Sequence, residues 1–423
     1  MLRRMWQSQF LRHAGVMVGG SQVVNALNLF YHLLVVRMLS VENYGTLNSL
    51  VSLTLYFGQI TLPFQPALAR FIAHCRETGD EVGIRGGIRK SSFLLGVIGL
   101  VILLGFIAGS GFLARQQNIA QPGYLIAAGF LVATAILGVI PLAFLQGIQN
   151  FSGLASLNIA AAAGKLLIGV GLIWAGAGVV GGLSGYLAGA SVLTGSGYWL
   201  ISSGMGKTPG RRPAGSQLDL APVYRSYLPT AAFLLSFTLL TNLDVNLVKK
   251  FFSAEEAGLY SVAQMVGKII LYLPGGIAVV LFPKAAAAQA GNRASRHLLL
   301  KGMACTGAIG AGGVMAAGLF PRLLLQLLTG KSAPESVALV FPFALAMFFF
   351  SLAWTAGFYN LSLHRVKFVL PVAGLAVLQA AGICLTCLYR PHLETVVSLL
   401  AVGGLATLAV TLGFALAGKE KQT

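Results

Sequence analysis

Val35-Val36-Arg37-Met38-Leu39-Ser40-Val41-Glu42-Asn43-Tyr44-Gly45 and Val248-Lys249-Lys250-Phe251-Phe252-Ser253-Ala254-Glu255-Glu256-Ala257-Gly258 each lie between two long apolar runs. Their offset is 213 residues, about half of the 423-residue chain. Val, Ser, Glu and Gly recur in register, and Arg37 matches Lys250. Four identities in eleven carry little weight alone. Their identical placement between apolar runs points to an internal duplication. A duplicated bundle in a chain this apolar points in turn to a transporter with its site between the halves.

Working outward, hydrophobic residues make up 56% of the chain and charged residues 9%. A soluble domain carries about 25% charge. Apolar runs of roughly 20 residues recur, each long enough to cross a bilayer. A β-barrel would show short alternating segments instead. The start, Met1-Leu2-Arg3-Arg4, is basic like a signal peptide, but the run from Ala14 to Val36 is too long for the core of one. It reads as a retained first span. Of the four cysteines, Cys75, Cys305, Cys384 and Cys387, the last two form a C-x-x-C pattern inside an apolar run with no second ligand pair. They read as small buried hydrophobes, with no disulfide framework.

The expected fold class is an all-α membrane protein of about twelve spans. Their centres fall near Leu27, Phe57, Ile102, Ala135, Leu166 and Leu187, then near Leu239, Ile270, Ile309, Phe348, Val377 and Leu405. Six spans per half make the halves parallel repeats about an axis normal to the membrane. The expected division is an N-terminal lobe (1–206), a cytoplasmic linker (207–224) and a C-terminal lobe (225–423). On the side of the N-terminus the loops and tails hold 20 Lys and Arg, against 7 on the other side. That bias puts both termini in the cytoplasm. The net charge of +18 follows from it and suits anionic lipid head groups. Scattered charges do not suit nucleic acid. The linker is rich in Gly and Pro and holds Gly206-Lys207-Thr208, the tail of a Walker A motif. Ile201 stands where its first glycine belongs, so it is no nucleotide site. Gly181, Gly185 and Gly189, four apart, suit close helix contact. Pro63, Pro66 and Pro274 fall in spans 2 and 8 and can kink or break them.

Lys165 and Lys268 are the two bases that fall inside spans. Each lies about ten to twelve residues from a span end, roughly 15–18 Å deep at 1.5 Å per residue. A mid-membrane charge costs about 2.5–3.5 kcal/mol on insertion scales and usually faces a cavity or a partner. Asp244 is the one acid within a span; it can bind a coupling ion, H+ or Na+, or pair with a base such as Lys249. Gln22, Asn25, Asn28 and His32 form a polar stripe on span 1 at helical spacing. Thr238, Thr241 and Asn242 sit at or beside the repeat-related positions of span 7. Tyr260, Gln264 and Lys268 follow at four-residue steps in span 8, and Asn48, Ser52 and Gln59 mark span 2. These faces either line a wet cavity or hydrogen-bond between helices. Ser40 and Ser253 read as helix N-caps, with Glu256 completing a capping box.

On VVRMLSVENYGTLNSL, LVKKFFSAEEAGLYSVAQMVGKIILYLPGGIAVVLFPKAA and LAFLQGIQNFSGLASLN, the chain resembles the polysaccharide transporters. These are bacterial lipid-linked oligosaccharide and O-antigen flippases of the MATE-like flippase superfamily. The resemblance implies two six-helix lobes in a V around a cavity lined by spans 1, 2, 7 and 8. It implies alternating access and export of a polyprenyl-diphosphate-linked glycan across the bacterial inner membrane, with membrane lipids and polysaccharide-assembly proteins as partners and a monomer as the working form. Cationic residues are expected to meet the diphosphate. Lys268 and Lys165 are the candidates, supported by Gln264, Asn25, Asn28, His32, Gln59 and Asn242, and by Arg37 and Arg70 near span ends. No resident cofactor is implied, and no catalysis. A drug or cation antiporter of the same superfamily is the alternative, and it wants carboxylates. A membrane glycan polymerase or ligase wants a large outer loop with grouped acids or histidines, which the short outer loops lack.

Overall fold

Ser40 and Ser253 start helices, as the sequence predicts, and Ser253 does so with Glu256 three residues on. The Ser253 hydroxyl accepts the Glu256 N–H, and the Glu256 carboxylate accepts the Ser253 N–H at 2.9 Å, a complete capping box. The Asn43 N–H donates to Ser40 Oγ at 3.2 Å. Such caps satisfy N–H groups that a helix start leaves unpaired.

The computed structural model describes the backbone of residues 2–61, 64–204, 221–274, 277, 296–389 and 391–417, and side chains from 19 onward except 60, 204 and 221–227. Pro63, the Gly206-Lys207-Thr208 segment, linker positions up to 220 and Lys284 lie outside the described residues, as do the side chains of Arg3, Arg4 and Arg12. Helices fill nearly all of the described backbone, with no strand in it. They are α1 (Leu2–Met38), α2 (Val41–Thr61), α3 (Phe64–Glu77), α4 (Glu81–Gln116), α5 (Gly123–Gly147), α6 (Phe151–Trp174) and α7 (Gly178–Gly204). There follow α8 (Ala221–Phe251), α9 (Ala254–Tyr272), α10 (Arg296–Leu319), α11 (Pro321–Thr329), α12 (Pro334–Ser362), α13 (Val369–Tyr389) and α14 (Leu393–Ala417).

Each of the twelve expected centres lies in one of these helices. Among the described residues, nine helices are long and apolar enough to cross a membrane: α4 to α8, α10, α12, α13 and α14. The chain is therefore a multi-pass α-helical membrane protein. Helices α1, α2 and α9 miss that measure over their described residues; they and α8 carry the polar faces singled out above. Two short helices were not expected. In α3, Phe64, Leu68, Ile72 and Cys75 are buried while Arg70, His74 and Glu77 are exposed, an amphipathic pattern. Pro66 therefore sits in the first turn of α3, where proline is tolerated, and not inside span 2. Likewise α9 ends at Tyr272, ahead of Pro274.

The chain divides into two compact units. Unit one is Met1–Leu39 with Leu53–Leu228, and unit two is Ser40–Ser52 with Pro229–Thr423. The first half of α2 thus packs within the second unit, which the sequence reading did not foresee.

In the first unit, α5 is central, packed with α3, α4 and α7, while α6 pairs with α7 and α1. The core joins Phe64, Leu68 and Ile72 of α3 to Ile88 and Leu95 of α4 and to Ile136, Ile140 and Phe144 of α5. Asp80 caps α4 by accepting the Gly83 N–H at 2.7 Å, and Asn150 caps α6 through the Gly153 N–H at 2.9 Å. Arg76 donates to the Ile148 carbonyl and ties α3 to the α5–α6 turn. All four cysteines are free thiols, with Cys75 and Cys387 buried. At the end of α3, burial and the Asp80 carboxylate push the Cys75 thiol up.

In the second unit, α12 is the most enclosed of the long helices after α8, and it packs with α9, α10 and α14. Aromatic rings dominate the core: Phe233 and Phe237 of α8, Tyr260 of α9, Phe343 and Phe350 of α12, and Phe368 before α13. The two repeated passages meet in this unit. A Cβ on Gly45 would stand 2.8 Å from the Gly258 Cα, so the two repeat-related glycines allow α2 and α9 to cross in backbone contact.

Candidate functional site

Two polar groups stand out, one in each unit. In the first, glycines on α7 set the geometry. A Cβ on Gly181, Gly185 or Gly189 would strike the backbone of Ile173, of Gly169 and Lys165, and of Ala161, in that order. That row brings α7 onto α6 at the level of Lys165, as the four-residue spacing predicts. Gly169 leaves room for the Tyr31 ring of α1, whose hydroxyl donates to the Gly182 carbonyl at 2.6 Å. Tyr31 therefore bridges three helices.

The Lys165 ammonium lies against two rings, 4.6 Å from the Tyr31 centroid and 4.7 Å from the Tyr186 centroid. The rings stand edge to face at 5.3 Å. Each cation–π contact contributes about 0.5–2 kcal/mol, more as water is excluded. Lys165 is buried, yet among the described residues no acceptor hydrogen-bonds its ammonium. Its three N–H donors remain for a ligand. His32 completes the group, its Nε2 3.4 Å from the Tyr186 hydroxyl. Asn28 is half-buried one turn away on α1, whereas Asn25 is exposed. Gln59 is half-buried near the end of α2. Arg37 and Arg70 are exposed, Arg37 in the last turn of α1 and Arg70 on α3.

In the second unit α8 and α9 share a buried network. Asp244 is fully buried. Its Oδ2 accepts the Tyr260 hydroxyl at 2.8 Å and the Gln264 amide at 2.9 Å, while its Oδ1 is buried with no hydrogen-bond partner among the described residues. Lys268 donates to the Thr241 carbonyl at 2.6 Å and to Asn242 Oδ1 at 2.7 Å. Asn242 in turn donates to the Thr238 carbonyl and to Thr241 Oγ1. Two of the three Lys268 donors are thus engaged within the protein. Lys268 is also the cation acting on Asp244. The first half of α2 joins here: Asn48 donates to Gln264 Oε1 at 3.1 Å, and Asn246 donates to the Ser49 carbonyl and hydroxyl at 3.0 and 2.9 Å.

The structure so brings Lys165 together with His32, and Lys268 with Gln264, Asn242 and Asp244. The family model for polysaccharide biosynthesis proteins matches residues 10–289, two-thirds of the chain and every residue of both groups. The chain belongs to the polysaccharide biosynthesis protein family. Comparison with curated proteins gave no match. Among solved structures, an inward-facing multidrug resistance MATE family transporter of the MOP superfamily aligns with a TM-score of 0.70 at 15% identity, over 93% of this chain and 94% of that one. A MOP superfamily transporter from Pyrococcus furiosus, described as having a binding pocket of reversed polarity, aligns at 0.62 and 14% identity, over 96% and 94%. The lipid II flippase MurJ, in an inward closed conformation, aligns at 0.62 and 14%, over 94% and 86%. This member of the polysaccharide biosynthesis family thus has the MOP transporter fold.

Sequence reasoning missed Tyr31 and Tyr186, the rings that hold Lys165. Tyr31 adjoins His32, and Tyr186 follows Gly185 in the glycine row. A large ring beside the residues that bring helices together was the available signal.

Proposed function

We propose that the protein is a flippase. It moves a polyprenyl-diphosphate-linked oligosaccharide across the bacterial inner membrane for cell-surface polysaccharide assembly. Twelve spans in two parallel repeats would work by alternating access, with both termini in the cytoplasm. The observation that carries this reading is the Lys165 site: a buried ammonium fixed by two rings, its hydrogen-bond donors unspent and no carboxylate in the group. Such a site suits an anion. A lysine-to-phosphate contact is charge-assisted and contributes about 1.5–3 kcal/mol. The flanking rings hold the ammonium in place and reduce the entropy lost on binding. No covalent chemistry is needed.

Asp244 is the proposed coupling residue, and the proton is the ion that fits it. The atoms bonded to its Oδ2 are hydrogen-bond donors, a hydroxyl and an amide N–H, whereas Na+ wants a cage of oxygens. The unpartnered Oδ1 is where a proton would attach. Lys268 belongs with Asp244 in this assignment.

Thermal unfolding of the detergent-solubilised protein tests the anion reading. Polyprenyl diphosphate should raise the melting temperature, polyprenol should not, and Lys165→Ala should abolish the difference. Equal shifts from both lipids would overturn the assignment. The drug-antiporter reading has the multidrug MATE fold neighbour in its favour. It predicts stabilisation by organic cations instead, through a carboxylate that the Lys165 group lacks.

A further inference from the structure

The proposed coupling role of Asp244 raises the question of what its charge controls, and the answer lies in Gln264. This side chain is buried and spends both ends of its amide. Nε2 donates to Asp244, and Oε1 accepts from Asn48. Asn48 lies in Ser40–Ser52, the part of α2 that packs with the second unit, while the helix from Leu53 onward belongs to the first.

We propose that Gln264 is a positioning residue that relays the charge state of Asp244 to the first half of α2. An ionised carboxylate accepts only, so it fixes the amide with N–H toward Asp244 and oxygen toward Asn48. In that orientation the Gln264 oxygen accepts the Asn48 N–H. A bond to a charged acceptor is roughly twice as strong as a neutral one. Neutralising Asp244, with the proton on the free Oδ1, weakens the bond that orients Gln264 and with it the hold on Asn48. Two other ties on the segment carry no charge: Asn246 to Ser49, and the Gly45–Gly258 contact. The relay therefore loosens the segment without detaching it.

Among the described residues, few charged or titratable groups act on this relay. Tyr260 and Lys268 on α9 act on Asp244, and Cys387 on α13 acts on Tyr260. At the start of α2, Glu42 acts on Lys249 of α8, more than a turn from Asp244.

The test uses spin labels at Asn43→Cys and Glu255→Cys, both exposed, in the full chain with its four cysteines replaced by alanine. Double electron–electron resonance reads the distance between the two helix starts. Asp244→Asn should broaden the distribution and lower the tied-to-released ratio by about 5–10-fold, the difference between a charged and a neutral hydrogen bond. In Gln264→Met the distribution should already be broad, and adding Asp244→Asn should change it little. An unchanged distribution in Asp244→Asn, or its full effect persisting in Gln264→Met, would overturn the relay. Size-exclusion profiles and melting temperatures identify misfolded variants, for which Gln264→Leu and Asp244→Ser are substituted. The coupling reading fails separately, if Asp244→Asn leaves pH-driven flipping intact.

Discussion

At the scale of single residues, Lys165 and Lys268 look alike in sequence and differ in place. Lys268 is bound to Thr241 and Asn242, whereas Lys165 rests against two rings with no hydrogen-bond acceptor among the described residues. They should therefore respond differently to substitution. Lys165→Ala should weaken binding of a diphosphate lipid by about 10–100-fold, the worth of one charge-assisted contact. Lys165→Arg should retain part of it, since the guanidinium also stacks on rings. Tyr186→Phe keeps the ring and should cost little, while Tyr186→Leu should cost several-fold; microscale binding titrations distinguish them. That both lysines lie on helices was legible from the apolar runs around them. Their partners were not, because Tyr31 is 134 positions from Lys165 and meets it only through the packing of α1 on α6.

At the scale of elements, the repeated passage has two jobs. Its serines start α2 and α9, and its glycines let those helices cross. The capping role was readable, because a cap is a local motif spanning three or four residues. The Gly45–Gly258 contact was not, since it pairs residues from the two copies. A Cβ on Gly258 would lie within 2.3 Å of the Val41 carbonyl oxygen, a backbone atom. Gly258→Ala should therefore destabilise the protein by ~1–3 kcal/mol, as overpacking does. The same change at Gly307, which has open space around it, should be neutral or slightly stabilising through helix propensity. Thermal unfolding of the two variants side by side checks the contrast. Ser253→Ala should cost about 1 kcal/mol through loss of the cap. The amphipathic α3 escaped the sequence reading because its apolar face is short and broken by Pro66, Arg70 and His74, which a span-length window averages away.

At the scale of the whole molecule, helical class and membrane character followed from apolar run length, and all twelve expected centres fall in helices. Where to divide the chain was less legible. A linear reading assigns all of α2 to the first half, yet Ser40–Ser52 packs within the second unit through Asn48, Ser49 and Gly45. Orientation is a global property of charge, and the proposed twelve-span topology puts 20 bases on one side and 7 on the other. A green fluorescent protein fused to the C-terminus should fluoresce, and alkaline phosphatase fused there should stay inactive; the reverse would invert the topology. The central claim, that the chain flips a diphosphate-linked glycolipid through the Lys165 site, is tested most directly in proteoliposomes. A fluorescent polyprenyl-diphosphate glycan is followed across the bilayer by the wild type and by Lys165→Ala. Rapid flipping by the wild type and at least a tenfold loss in Lys165→Ala is the predicted result. Equal rates for the two proteins, or no flipping above protein-free vesicles, would contradict it.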